Sequence, residues 1–130
     1  MSSKDLGLFL IRVVFGVSML LGHGLAKWGK LWTGQHSQFE TPFGLEPALT
    51  LGIAVLAEVG GSILVILGLL TRLALIPLII TMSVALFVVH DGDAFTTMEK
   101  ALLYGATFLG LWFTGPGKLS LDYLFHRTQI

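Results

Sequence analysis

Four apolar stretches, each long enough to cross a lipid bilayer, occupy most of this chain, and ionisable residues are set inside them. They fall at about residues 6–28, 47–68, 72–90 and 97–114, each near the ~20 residues that a hydrocarbon core of about 30 Å requires of a helix. Lipid offers no partner to an open backbone amide or carbonyl, so spans of this length have to be helical. The expected fold is all-α: an antiparallel four-helix transmembrane bundle with a long extracytoplasmic loop between helices 1 and 2. Against that background Arg12, His23 and Lys27 lie in or at the end of the first span. Glu58 lies in the middle of the second, His90 at the end of the third and Glu99 at the start of the fourth. An ionisable group at membrane depth costs several kcal/mol unless it meets a partner or water, which makes these residues functional-site candidates.

Composition agrees with the spans. The 130 residues are 54% hydrophobic and 12% charged, with a mean hydropathy of +0.82, far from the soluble range. A single domain over 1–130 leaves no room for a separate soluble module. The net charge of +0 and the lack of a basic cluster exclude nucleic acid as a partner. Cys is absent, which excludes disulfide exchange, thiolate catalysis, thiolate metal sites and covalent c-type haem. The lipid bilayer is the one partner that composition implies.

Punctuation residues place the helix ends. Pro47 suits a first helical turn, Pro77 falls in the first turns of the third span, and Gly115-Pro116-Gly117 stops the fourth. The turn at Thr71 is so short that spans two and three must be antiparallel neighbours. Asp91-Gly92-Asp93 begins another short turn. Residues 29–46 form a long loop carrying Trp32, Phe39 and Phe43, aromatics suited to the membrane interface and expected to form a lid. Lys4, Arg72, Lys118 and Arg127 fall on the side of both termini, and Lys27, Lys30 and Lys100 on the other with most of the acids. The bias puts both termini in the cytoplasm and the long loop outside.

Depth then gathers the charges. His23, Lys27, His90 and Glu99 all lie at the long-loop end, with Glu58 some 16 Å below that surface at about 1.5 Å per residue. Arg12 and His23, eleven residues apart, share a face over three α-turns, and His23 adjoins Lys27 at i,i+4. The expected result is a polar stripe with an Arg12–Glu58 ion pair at its foot. Two readings of that pair stay open: a device that sets helix packing, or a proton or ligand site at the base of an outward-opening cavity. His23, His90, Glu58 and Glu99 are the metal or haem candidates, although the Glu-x-x-His spacing of carboxylate metal bundles is missing. Ser18-x-x-x-Gly22, Ala101-x-x-x-Gly105 and Ala106-x-x-x-Gly110 read as helix-packing surfaces. Gly60-Gly61 reads the same way, or as room for a planar ligand beside Glu58.

The ordered set Arg12 … Gly16 … His23-Gly24-x-x-Lys27, Glu58-x-x-Gly61 … Leu67-Gly68-Leu69-x-Thr71-Arg72, His90 … Glu99-x-Ala101 and Gly115-Pro116-Gly117-x-x-Ser120-x-Asp122 spans essentially the whole chain. It resembles the DoxX family of small four-helix membrane proteins. The wider group includes proteins similar to the thiosulfate:quinone oxidoreductase small subunit, DoxD, and the methylamine-utilisation protein MauE. The resemblance implies a multi-pass protein of the bacterial inner membrane linked to redox or sulfur metabolism, with a redox enzyme as a possible partner. Relatives of the MauE and vitamin K epoxide reductase type work with cysteines, which this chain lacks. The leading expectation is a redox-linked membrane component whose outward-opening cavity holds a quinone-like or other small ligand. In it His23, Lys27, His90 and Glu99 bind the ligand, Glu58 handles the proton and Arg12 supplies the counter-charge. The alternatives are a non-catalytic scaffold for oxidoreductases and a small transporter, the latter enlarged by a homodimer.

Overall fold

The computed structural model describes residues 1–35, 41 and 43–127, and over those residues the chain is helical with no strand. Helix α1 runs Ser3–Trp32, α2 Pro47–Leu67, α3 Thr71–Val89, α4 Phe95–Thr114, and a short α5 Leu121–Arg127 follows. Three of these, α1 to α3, are long and apolar enough to cross a membrane. The fourth expected span, α4, has the length at 20 residues. It falls short of the others in apolar character because Glu99 and Lys100 sit in its first turns.

Local chemistry sets the ends. Before α1, Ser2 and Asp5 close a capping box: Asp5 N donates to Ser2 Oγ at 3.3 Å and Ser2 N to Asp5 Oδ2 at 2.9 Å. The helix therefore starts three residues before the apolar run. Its 30 residues span about 45 Å, more than a hydrocarbon core needs, so Trp32 stands clear at 85% exposure. Glu46 caps α2 by accepting from the amides of Ala48 and Leu49, at 3.1 and 2.9 Å, ahead of Pro47 at the first position. The loop expected to act as a lid lies partly outside the described residues, Phe39 included.

The spans are not uniform α-helix. Wide π turns interrupt α1 at Leu20–Gly24 and α2 at Leu56–Gly60, and a third closes α3 at Ala85–Val89. Each takes in an extra residue, a feature frequent at functional sites. The first two meet. A Cβ placed on Gly24 would lie 2.9 Å from Val59 Cγ2 and 3.3 Å from the carbonyl carbon of Glu58, so only glycine lets the two helices approach this closely.

Neighbouring helices run in opposite directions, Gly16 of α1 meeting Ile66 of α2 while Gly24 meets Val59. In the same way Arg72, in the first turn of α3, donates from Nε to the Trp112 carbonyl near the end of α4 at 3.1 Å. The centre is a tight apolar cluster of Met19, Val65, Leu75, Leu78, Phe108 and Leu111, all essentially inaccessible. A smaller cluster of Leu51, Val55 and Val59 packs on Leu20 and Leu31 and holds the C-terminal part of α1 against α2. Outward-facing Val14, Leu21, Ile53, Leu56, Ile80, Phe87 and Phe113 remain exposed. That is an apolar exterior suited to lipid, where contact packing rather than water exclusion holds helices together.

Candidate functional site: a buried carboxylate between two wide turns

Polar side chains gather in two places, at opposite ends of α1 and α2. At the end holding the N-terminus, Arg12 is 1% exposed. Its two terminal nitrogens donate to the backbone carbonyls of Pro116 and Leu119, at 2.5 and 2.6 Å, and its guanidinium carbon lies 5.6 Å from the Phe9 ring centroid. The segment between α4 and α5 wraps this end. Asp5 Oδ1 accepts from Lys118 N at 3.1 Å. Asp122 accepts from Leu70 N at 2.7 Å, Thr71 N at 2.9 Å and Thr71 Oγ1 at 2.7 Å, and so caps α3 from far along the chain. Gly68, left-handed at φ 67°, presses on Ser120 and Arg12, and a Cβ there would come within 2.5 Å of Ser120 Cβ. An open groove of about 670 Å³ lies beside this joint, lined by Asp5, Arg72, Lys118, Asp122 and His126 among others. Both of its carboxylates are already committed to hydrogen bonds that tie elements together.

The expected Arg12–Glu58 ion pair is not made. Arg12 is gripped by carbonyls at one end, and Glu58 pairs with Lys27 toward the other, Nζ to Oε1 at 2.5 Å. The fully buried Met19 and Val65 lie between them along α1 and α2, so the polar stripe expected from spacing is cut by an apolar layer. The π turn at Leu20–Gly24 explains part of the error. Its extra residue means that eleven positions no longer count three whole α-turns from Arg12 to His23.

At the other end Glu58 is fully buried while the Lys27 side chain keeps 25% of its surface exposed. The ammonium therefore reaches inward from the boundary to a carboxylate held in the interior. Only one carboxylate oxygen is used. Among the described residues Glu58 Oε2 has no hydrogen-bonding partner, and neither does the equally buried Ser62 Oγ one turn further along α2. His23, half-buried on the π turn of α1, lies within electrostatic reach of Glu58, Lys27 and Lys100. Its ring stands edge-on to Tyr104 at 5.5 Å between centroids. Tyr104 in turn meets Phe15 at 5.7 Å and Phe108 at 5.9 Å.

His23, Lys27 and Glu58 are thus brought together, whereas His90 and Glu99 are not part of this cluster. His90 Nδ1 lies 3.0 Å from Asp93 Oδ2 in the turn after α3, and Glu99 is exposed on α4. Among the described residues no three His, Asp or Glu side chains converge as a metal ion would need, so His23, His90, Glu58 and Glu99 do not form one constellation. Two members of the cluster were missed from sequence. Ser62 follows Glu58 by four residues and so shares its helix face, a signal that was available. Tyr104 is positioned by helix packing that spacing does not reveal.

Comparison with known proteins follows the same lines. The DoxX sequence profile matches residues 7–91, which takes in α1, α2 and α3 with the Glu58 cluster. Two proteins of Haemophilus influenzae, both named only as uncharacterised, are each 35% identical to the chain. One match covers 80% of this chain and 74% of the relative, the other 92% and 91%. The inner membrane protein YqjF of Escherichia coli K12 is 30% identical over 95% of each chain. No solved structure matches. On the profile match and on relatives aligned along nearly their whole length, this chain is a membrane protein of the DoxX family.

Proposed function

We propose that the chain is a redox-linked component of the bacterial inner membrane that binds a quinone-like or similarly small molecule at Glu58. In this reading 1–130 is one domain and α1 to α4 all cross the bilayer as an antiparallel four-helix bundle. Both termini are cytoplasmic and the Lys27 end opens outward. The inner-membrane name of the Escherichia coli relative supports the location.

One observation carries the reading: a carboxylate at 0% exposure has one oxygen on Lys27 and the other without a partner among the described residues. Buried polar atoms in folded proteins are almost always satisfied, and an exception calls for a reason such as a bound group or a catalytic role. Lys27 and His23 connect that carboxylate to the boundary. A carboxylate and an imidazole within reach of a ligand oxygen can supply or take up the protons that quinone chemistry exchanges. The apolar layer of Met19, Val65, Leu75, Leu78 and Phe108 closes the polar region from below. A dead end of this kind suits a binding site better than a through-passage, so it speaks against the transporter alternative.

The test is to solubilise the full chain gently, record a visible spectrum and metal content, and identify co-purifying small molecules by mass spectrometry. A quinone-like compound should accompany the wild type and be depleted at least tenfold in Glu58→Gln. Equal retention by both proteins, or none by either, would remove Glu58 from ligand binding and leave a scaffold for partner enzymes as the better reading.

A further inference from the structure

The groove of about 670 Å³ beside the joint of α3, α4 and α5 lies at the opposite end of the molecule from the Glu58 cluster, and what it binds does not depend on any role of Glu58. Two permanent cations line it, Arg72 and Lys118, and both are exposed. Arg72 is fixed in place: Nε donates to the Trp112 carbonyl at 3.1 Å and Nη2 to the Phe113 carbonyl at 3.4 Å. Among the described residues Arg72 Nη1 and the Lys118 ammonium meet no acceptor, and neither side chain has a carboxylate within ion-pair distance. The carboxylates of the lining are used otherwise. Asp5 accepts from Ser2 and from Lys118 N, and Asp122 accepts from Leu70 and Thr71. The hydrogen-bonding capacity left over in the groove is therefore mainly on its cationic donors.

Charge and position narrow the ligand to one class. Asp5 and Asp122 offset Arg72 and Lys118, so a second negative charge on a ligand adds repulsion along with attraction and costs more desolvation. That favours a singly charged phosphodiester over the orthophosphate dianion. Leu70 and Leu73 also line the groove and are 55% and 64% exposed, which makes it continuous with the apolar exterior. Arg72 stands in the first turn of α3, a helix long and apolar enough to cross a membrane, and the end of such a helix lies at headgroup level. Trp112 and Tyr123, 37% and 36% exposed beside it, are aromatics suited to that level. We propose that this groove binds the headgroup of an anionic phospholipid. Arg72 and Lys118 donate to its phosphate oxygens, and its acyl chains follow Leu73 down the lipid-facing side of α3. A guanidinium already held by two carbonyls needs little ordering to receive a phosphate.

The test is native mass spectrometry of the delipidated full chain in a neutral detergent, with phosphatidylglycerol and phosphatidylcholine of identical acyl chains. Phosphatidylglycerol should bind roughly tenfold more tightly, since each basic residue near a headgroup contributes roughly fivefold. Arg72→Gln should bring its binding down to the phosphatidylcholine level. Lys118→Gln removes an ammonium with no acceptor among the described residues and so spares the fold; it should reduce the preference roughly fivefold, and it decides the matter if Arg72→Gln does not fold. Lys4→Gln, which neutralises a basic residue outside the groove lining, should leave the preference unchanged. Equal binding of the two lipids would overturn the proposal, as would a preference that survives Lys118→Gln or one that falls as far in Lys4→Gln. Displacement of the bound phosphatidylglycerol by excess inorganic phosphate would assign the groove to a free anion and overturn the lipid.

Discussion

Carbonyl oxygens can satisfy a buried guanidinium as well as a carboxylate can, and Arg12 takes the carbonyl route. The Pro116 and Leu119 oxygens are exposed acceptors because Gly115-Pro116-Gly117 ends α4 and leaves the following backbone without helical hydrogen bonds. That an arginine in the first span needs a partner was legible in the sequence. Which partner was not, since the answer lay more than a hundred residues away and in the backbone. Glu58 was equally legible as a buried charge, whereas spacing alone gives no sign that Lys27 is its partner. The consequence is measurable. Glu58→Met and Lys27→Met should each destabilise the protein in a denaturant titration, by about 3 kcal/mol, the low end for a broken buried pair because Lys27 is partly exposed. Their double substitution should cost clearly less than the sum. Arg12→Met combined with Glu58→Met should instead be additive within about 0.5 kcal/mol, as expected for sites that share no partner. Strong coupling between Arg12 and Glu58 would reinstate the ion pair that the structure replaces.

At the scale of elements, apolar runs and punctuation located the helices to within a few residues, because a span must be apolar and its ends must be capped or broken. Two things escaped that reading. The π turns at 20–24 and 56–60 leave no mark in hydropathy, yet they set the rotation of His23 and Glu58 and let Gly24 seat against the Glu58 backbone. The cap of α3 escaped as well, since Asp122 reaches it from beyond α4. Asp122 lies outside the spans, and its carboxyl responds to opposing effects. Partial burial raises it, but hydrogen bonds from Thr71 and Leu70 outweigh burial and hold it below its ordinary value. A carboxyl depressed in the folded state lends stability that is complete above its unfolded pKa and is lost as pH falls through the folded one. Stability should therefore decline as pH drops below about 4. Asp122→Asn should remove that part of the acid dependence and lower stability at neutral pH by about 1 kcal/mol, because both carboxylate oxygens accept hydrogen bonds and an amide keeps only one acceptor. Acid unfolding curves that superimpose for the two proteins would exclude Asp122 as the titrating cap.

For the whole molecule, pairing alters the charge count that governs orientation. Four basic residues, Lys4, Arg72, Lys118 and Arg127, stand on the side of the termini, and Lys27, Lys30 and Lys100 on the other. Lys27, however, is turned inward onto Glu58, leaving Lys30 and Lys100 as the basic residues of the long-loop side that are not tied to an interior carboxylate. Orientation follows the excess of Lys and Arg near the span ends, and the cytoplasmic side is the richer one. The inward pairing thus strengthens a bias that was weak in the bare sequence. On the proposed orientation, the mouth of the Glu58 cluster faces away from the cytoplasm. The absence of native Cys gives a clean background for a direct measurement. Thr33→Cys, exposed just after α1, should react with a membrane-impermeant maleimide once that reagent reaches the periplasm. His126→Cys, exposed on α5, should react only after the inner membrane is opened. Labelling of His126→Cys in sealed spheroplasts would invert the topology and turn the Glu58 site toward the cytoplasm.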